Sequence, residues 1–220
     1  LWHNALIRMS RLDEGSSQKY LERAEKMKQQ FLEFFWNEGG QTLFDVLGTN
    51  GAQTPKDAVP DPAVRFNQIF PVYFGLVEGD TARRILVSTR DRLLIPGALR
   101  SLAEGAWKYA QYYPHYEMWK PCEERDKAYH NGTGWNWPYP FYWVAAVRQG
   151  FVTAQEALEI MRRDFIHLLE DPFTSGNIIY GGSLPEITDA TIVTLKDLQG
   201  REYPYAYPKG CGEQAWSVGT

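Results

Sequence analysis

Amphipathic helical patterns separated by long loops constrain the fold of this chain more than any other feature. The helix predicted over 18–36 has one apolar stripe, formed by Leu21, Ala24, Met27, Phe31, Phe34 and Phe35. The same period recurs over 81–94 and in a helix that follows a capping box at Thr153 and Glu156 and ends before Pro172. No strand pattern alternates with these helices as a βαβ unit requires. The sequence therefore predicts an all-α architecture of helical hairpins.

Long segments rich in glycine, proline and aromatic residues join the predicted helices. Further helices are predicted over 1–12, 65–77 and 137–149, and from 213 onwards. Loops are predicted over 41–64, 95–134 and 173–211, the last with room for short β pieces at 177–180 and 192–195. Because loops this long are commonly functional, and because 95–134 is aromatic, we expect an ordered, functional surface there.

Charge and cysteine content exclude several classes of partner. The formal net charge is −4 with no basic block, which argues against nucleic acid and anionic membrane surfaces. No apolar run approaches the roughly 18 residues of a membrane span. Neither the two cysteines nor the four scattered histidines have the spacing of a metal site, so we expect no metal. The pattern favours a reducing compartment and hence a cytoplasmic location.

Residues 130–138 have the composition of a sugar-binding surface. Trp135 and Trp137 supply flat apolar faces, while His130 and Asn131 supply directional hydrogen bonds. A glycine-rich turn that leads into an aromatic core helix is the structural alternative, and this stretch alone favours neither. Since it contains no carboxylate, it can hold a sugar but cannot hydrolyse one.

Four motifs follow one another along the chain. They are Arg65-Phe66-Asn67-Gln68, His130-Asn131-Gly132-Thr133-Gly134-Trp135-Asn136-Trp137, Leu184-Pro185-Glu186 and Gly210-Cys211-Gly212-Glu213-Gln214-Ala215-Trp216-Ser217. In this order they resemble the amylo-α-1,6-glucosidase domain of glycogen-debranching enzymes, and the resemblance spans nearly the whole chain. Phe66 and Asn136 stand where that family has proline, which bears on substrate preference more than on fold.

The resemblance implies an (α/α)6 toroid, of which residues 1–220 would form a single partial domain, roughly the C-terminal half. It implies an inverting glycoside hydrolase that releases glucose from the α-1,6 branch stubs of a glycogen-type limit dextrin without a cofactor. Such enzymes need two carboxyl groups roughly 6.5–9.5 Å apart. The family's general acid lies in an upstream Arg-Asp motif, so the expected partner is the rest of the same toroid. Arg90-Asp91 and Arg163-Asp164 are better explained as surface ion pairs.

The resemblance also implies a role for individual residues. Glu186, which follows Pro185 near two glycines, is the candidate general base. The hydroxyl contacts and the stacking walls of the substrate site are assigned to Arg65, Asn67, Gln68, His130, Asn131, Trp135 and Trp137, and Gln214, with Trp216, is expected to close the site or brace Glu186. Structural alternatives are helix capping by Asn67 and core packing by the tryptophans. Weaker candidates are Asp45, for orienting sugar or an arginine, and Asp61, for capping a helix, whereas Glu123 and Glu124 are expected to be solvated.

Two other functions fit the same motifs. One is another (α/α)6 sugar hydrolase, such as a trehalase-like enzyme or an α-glucosidase. The other is a carbohydrate-binding module that kept the aromatic cleft without catalysis. Half of a toroid would also expose apolar helix faces that the remaining helices should cover.

Overall fold

The computed structural model describes residues 1–48, 51, 53–105, 111–170, 173–175, 178–180, 184–197 and 199–210. The helices are α1 (Trp2–Leu12), α2 (Ser17–Phe35), α3 (Ile69–Tyr73), α4 (Gly79–Arg92), α5 (Cys122–Arg125), α6 (Tyr139–Arg148) and α7 (Ala154–Glu170). The strands are β1 (Trp36–Asn37), β2 (Thr42–Leu43), β3 (Val46–Gly48), β4 (Val59–Asp61), β5 (Leu94–Ile95), β6 (Ala98–Arg100), β7 (Gly134–Trp135), β8 (Phe173–Ser175), β9 (Ile178–Tyr180), β10 (Ile187–Lys196) and β11 (Glu202–Lys209).

The predicted all-α toroid is wrong, because the described residues form a mixed α and β structure. Strands β11, β10, β7, β6 and β5 make one five-stranded antiparallel sheet in that order, beside the two-stranded ladders β1–β2, β3–β4 and β8–β9. The largest error is the loop predicted over 173–211. The short β pieces expected at 177–180 and 192–195 correspond to β9 and to part of β10, but β10 and β11 are the two longest strands described. Strand β11 contains Pro204 and Pro208 and lies at the sheet edge, the position in a sheet where proline is tolerated.

Several helices confirm the sequence periodicity. Helices α2, α4 and α6 lie within two residues of the predicted bounds at each end. The helix predicted over 65–77 is shorter, a 3-10 turn over Phe66–Gln68 followed by α3, with Pro71 in the first turn of α3. Glu156 accepts a hydrogen bond from the Thr153 backbone N–H (2.8 Å), and its own N–H donates to the Thr153 hydroxyl (3.2 Å), so the predicted capping box is present.

Helices α3, α4, α6 and α7 pack around the main core. Their apolar stripes meet in a buried cluster that includes Ile69, Val72, Ile85, Leu86, Ala145 and Ala157. Burying each large aliphatic side chain contributes about 1.5–3 kcal/mol, so this cluster is the main stabilising feature of the helical layer. Exposed apolar side chains include Leu1, Trp2, Met9, Leu12 and Leu21, on or directly before the first two helices, and others lie further along the chain. Of the helices described, none is long and apolar enough to cross a membrane.

Strand β7 links the aromatic motif to the segment that carries Glu186. Trp135 pairs with Leu99 of β6 on one side and with Ile187 of β10 on the other. A Cβ atom at Gly134 would lie 2.6 Å from Ile95 Cδ1 and 2.7 Å from Thr188 Oγ1, so the crowded centre of the sheet requires glycine there. The sheet therefore places two motifs about fifty residues apart in sequence side by side.

Candidate functional site

Arg65 joins three distant segments at one end of the site. Its Nε lies 3.3 Å from Asp45 Oδ2, and its guanidinium donates to the carbonyl of Ser101 (3.3 Å) and to Asn131 Oδ1 (3.2 Å). It also donates to the carbonyl of His130. The first two motifs therefore meet through one cation, and Arg65 and Asn131 hold each other in place at the pocket wall.

Asn67 and Gln68 extend this wall in different directions. The exposed Asn67 donates from Nδ2 to Asp45 Oδ1 (3.2 Å), so it supports a carboxylate rather than a helix end. Gln68 is only 6 % exposed, and its amide N and O have no hydrogen-bond partner within the described part of the chain. It borders a cavity of about 140 Å³ that Asp45 and Arg65 also line.

Two adjoining pockets form the candidate substrate site. The first, of about 450 Å³, is lined by Phe66, Tyr129, His130, Trp135 and Trp137. The second, of about 520 Å³, shares three of those side chains and adds the polar side chains of Asp45, Asp61, Arg65, Asn67 and Ser101. An apolar aromatic wall that faces a polar wall suits a ligand with C–H faces and hydroxyl edges.

The two tryptophans of the aromatic motif have different environments. Trp135 is 6 % exposed, its Nε1 donates to the Tyr129 carbonyl (3.0 Å), and the His130 ring stacks parallel to it with centroids 5.4 Å apart. Trp137 is half-buried, lies parallel to Phe70 (5.7 Å) and contacts both pockets. Trp135 therefore mainly packs into the core beneath His130, while Trp137 forms part of the wall that a ligand could contact.

His130 is the exposed polar group of this wall. Burial of part of the ring, together with the nearby Arg65 guanidinium, lowers its pKa below the ordinary value. The imidazole is therefore neutral at pH 7, with one nitrogen donor and one acceptor. A neutral histidine can hydrogen-bond a hydroxyl in either direction without adding charge to the pocket.

Glu186 directly precedes β10 and is only 8 % exposed. The hydroxyl of Tyr129 donates to Glu186 Oε1, and burial and the carboxylate together raise the pKa of that phenol. Gly210 approaches from the other side, with φ +75° and with Glu186 Oε2 3.0 Å from where a Cβ would stand. Tyr129 was missed by the sequence analysis, and its place directly before the aromatic motif was the available signal.

Asp45, directly before β3, and Asp61, the last residue of β4, come together at one end of the β3–β4 ladder. The Asp45 N–H donates to the Asp61 carbonyl (2.8 Å). The pKa of Asp45 is raised, chiefly by burial and further by Asp61, against the opposing effects of Asn67 and Arg65. Asp61 was predicted to cap a helix, but it closes a turn instead, because its Oδ1 accepts from the Ala63 N–H (2.8 Å).

Other carboxylates near the site have structural partners. Asp189, on β10, accepts from the Tyr116 N–H (3.1 Å) and lies near His115 (3.3 Å) and Lys209 (3.5 Å). Asp164 forms the predicted ion pair with Arg163 (2.9 Å), but the predicted surface location is wrong, because Asp164 is buried and also accepts from the Tyr139 hydroxyl (2.5 Å). Both carboxylates are engaged by several donors, so neither resembles a free proton donor.

The remaining charged candidates from the sequence lie on the surface. Glu123 and Glu124 are exposed in α5, and Arg90 and Asp91 form an exposed pair, as expected. Gln214 and Trp216 lie outside the described residues. Within the described part of the chain, no cluster of three His, Cys, Asp or Glu side chains could hold a metal ion.

Comparison with known protein families supports the resemblance that the four motifs indicate. A family model described as amylo-alpha-1,6-glucosidase matches residues 1–220. No curated protein matches the chain. The family match covers every segment that lines the pockets, and it also covers Glu186 and Gly210.

Proposed function

Because this chain belongs to the amylo-alpha-1,6-glucosidase family, we propose that it supplies the base of an inverting glycosidase. The substrate would be the α-1,6 branch stub of a glycogen-type limit dextrin, and the product would be glucose. A water molecule forms the new bond to the anomeric carbon while the bond to the leaving oxygen breaks. Glu186 takes the proton of that water. A general acid outside residues 1–220, in the Arg-Asp motif of the family, protonates the leaving oxygen.

The position of Glu186 carries the proposal. Its carboxylate is held by the hydroxyl of Tyr129, and Tyr129 itself lines the aromatic pocket. The hydrogen bond from this hydroxyl fixes the orientation of the carboxylate, as a general base requires. Tyr129 is therefore a positioning residue for the proposed base.

The substrate contacts follow from the two walls. Trp137 would stack on a sugar face, while His130, Asn67 and Asn131 would meet hydroxyl groups, with Arg65 fixing their relative positions. Trp135 would support the ring of His130 rather than touch the sugar. Gln68 would also contact a sugar hydroxyl, and Gln214 would close the site or brace Glu186. The reaction in this form uses neither metal nor organic cofactor.

The test is the Glu186→Gln variant of the full-length protein. General-base catalysis contributes roughly 10²–10⁴-fold, so glucose release from limit dextrin should fall by at least that factor. Maltooligosaccharide binding, measured by isothermal titration, should persist because the amide keeps the size of the side chain. Glu202→Gln is the matched control, since Glu202 is an exposed carboxylate on the neighbouring strand β11.

Three results would contradict the proposal in different ways. Near-normal glucose release by Glu186→Gln would remove Glu186 as the base. Sugar binding without release by the wild-type full-length protein would favour a carbohydrate-binding module. Release from trehalose or linear maltose alone, with none from branch stubs, would favour the trehalase-like or α-glucosidase alternative.

A further inference from the structure

Asp45 is a carboxylate at the boundary between two cavities. It lines both the 520 Å³ pocket, with His130 and Trp137, and the smaller cavity beside Gln68. Its side chain is 13 % exposed, so it is largely buried yet open to the pocket. Nothing in the reaction described above uses this group.

Each oxygen of Asp45 has one partner among the described residues. Oδ1 accepts from Asn67 Nδ2 at 3.2 Å, and Oδ2 pairs with Arg65 Nε at 3.3 Å. A carboxylate can accept about four hydrogen bonds. Both oxygens therefore keep capacity for a donor that enters from the pocket.

On balance, the surroundings of Asp45 disfavour its charged form. Burial raises the pKa of Asp45, Asp61 raises it further, and Asn67 and Arg65 offset only part of that shift. A carboxylate that served only as a structural ion pair would have its pKa lowered by the arginine. A buried charge that its surroundings disfavour points to a role in binding.

We propose that Asp45 recognises the substrate by accepting hydrogen bonds from two neighbouring hydroxyl groups of one glycosyl unit. Adjacent hydroxyls on a pyranose ring present two donors side by side, which match the two oxygens of one carboxylate. Asn67 and Arg65 hold the carboxylate, and Trp137 lies on the same pocket. The assignment rests on the proposed function, because it takes the ligand of this pocket to be a sugar.

The alternative role for Asp45 is to orient Arg65 alone. In that case Asp45→Asn would loosen the arginine, lower thermal stability and weaken all ligands by the same factor. If Asp45 instead accepts hydrogen bonds from sugar hydroxyls, the loss of affinity caused by Asp45→Asn depends on which hydroxyl groups the ligand carries. The two roles therefore differ in ligand dependence and in stability.

The experiment measures binding of maltotriose and its monodeoxy analogues, with single hydroxyls removed from the terminal glucose. It uses the full-length protein with Glu186→Gln, alone and with Asp45→Asn. A hydrogen bond to a charged group is worth about 1.5–3 kcal/mol, so Asp45→Asn should weaken maltotriose binding roughly 10–100-fold. Removal of either of two adjacent hydroxyls should weaken binding in the parent. At least one of these two losses should disappear in the Asp45→Asn protein, because the amide NH2 cannot accept a hydrogen bond. The midpoint of thermal unfolding should stay equal or rise.

Asp80→Asn is the matched control, because Asp80 pairs with Arg84 (2.6 Å) on the surface of α4. Asp80→Asn should leave maltotriose affinity unchanged, and it should leave the affinity losses for the monodeoxy analogues unchanged. The inference would be overturned if the Asp45→Asn protein bound maltotriose as tightly as its parent. It would also be overturned if the two proteins lost the same affinity for each deoxy analogue. Because the readout is binding, these results stand apart from the glucose-release assay that tests the proposed function.

Discussion

At the scale of single residues, the candidate base depends on groups that do no chemistry. Glu186 could be named from its Leu-Pro-Glu motif alone. Its contacts with Tyr129 and Gly210 could not, because these residues are 57 and 24 positions away in sequence. A motif identifies a reactive side chain, but only the packed structure shows what orients it.

Replacing Gly210 with alanine should inactivate the site. Gly210 has φ +75°, and its new Cβ would stand 3.0 Å from Glu186 Oε2 and 3.1 Å from Ile187 Cγ1. Gly200→Ala is the control, since Gly200 has φ +77° but no atom within 4 Å of a Cβ. Both variants should lose about 1–2 kcal/mol of stability from the left-handed backbone. Only Gly210→Ala should lose glucose release, and equal activity of the two variants would exclude the close approach as the cause.

At the scale of elements, helices and strands differ in how far the sequence predicts them. The helix α7 begins at a capping box that is legible over four residues, Thr153 to Glu156. The strand β11 has tyrosines at 203, 205 and 207, a period of two that the loop prediction overlooked. Its pairing with β10 was not readable, since a strand is stabilised by its neighbours rather than by its own residues.

The capping box predicts a pH-dependent stability. Hydrogen bonds from the Thr153 hydroxyl and backbone N–H lower the pKa of Glu156 below 4.5. A carboxylate with a lowered pKa adds stability above its ordinary pKa, and that stability is lost as the pH falls through the folded-state value. Thr153→Ala should therefore lower Tm by roughly 2–4 °C at pH 7, and this difference should narrow near about pH 3.

Glu159→Gln provides the control for this measurement. Glu159 is exposed on the same helix, and its carboxylate accepts a hydrogen bond from Gln155 (2.6 Å) within α7. Its Tm should match wild type at both pH values. A Thr153→Ala difference that stays constant or widens on acidification would contradict the capping-box explanation.

At the scale of the whole molecule, one arginine ties the site to the scaffold. Arg65 bonds to Asp45 beside β3, to Ser101 after β6 and to the loop that holds His130 and Asn131. These partners lie up to 66 residues from Arg65 in sequence. The site is therefore rigid only when the sheet, the ladder and the aromatic loop are all assembled.

Arg65→Lys should destabilise the whole fold. Lysine keeps the charge, but its single ammonium cannot reach the acceptors that the planar guanidinium spans. Leaving partly buried acceptors unpaired costs about 1–3 kcal/mol, or roughly 2–12 °C in Tm for a domain of this size. Arg84→Lys, at an exposed pair with Asp80, should change Tm little because surface pairs contribute little. Equal shifts in the two variants would contradict the linking role of Arg65.

The sequence by itself determined the local features and the family. Helices α2, α4 and α6, the capping box and the order of the four motifs depend on residues close together along the chain. Only the tertiary structure decided the mixed α and β fold, the pairing of β7 with β10, and the meeting of Tyr129 with Glu186. Helical hydrogen bonds join residues four apart and so leave a local pattern. Sheet pairing and site geometry join residues far apart, and their energy appears only once the chain is packed.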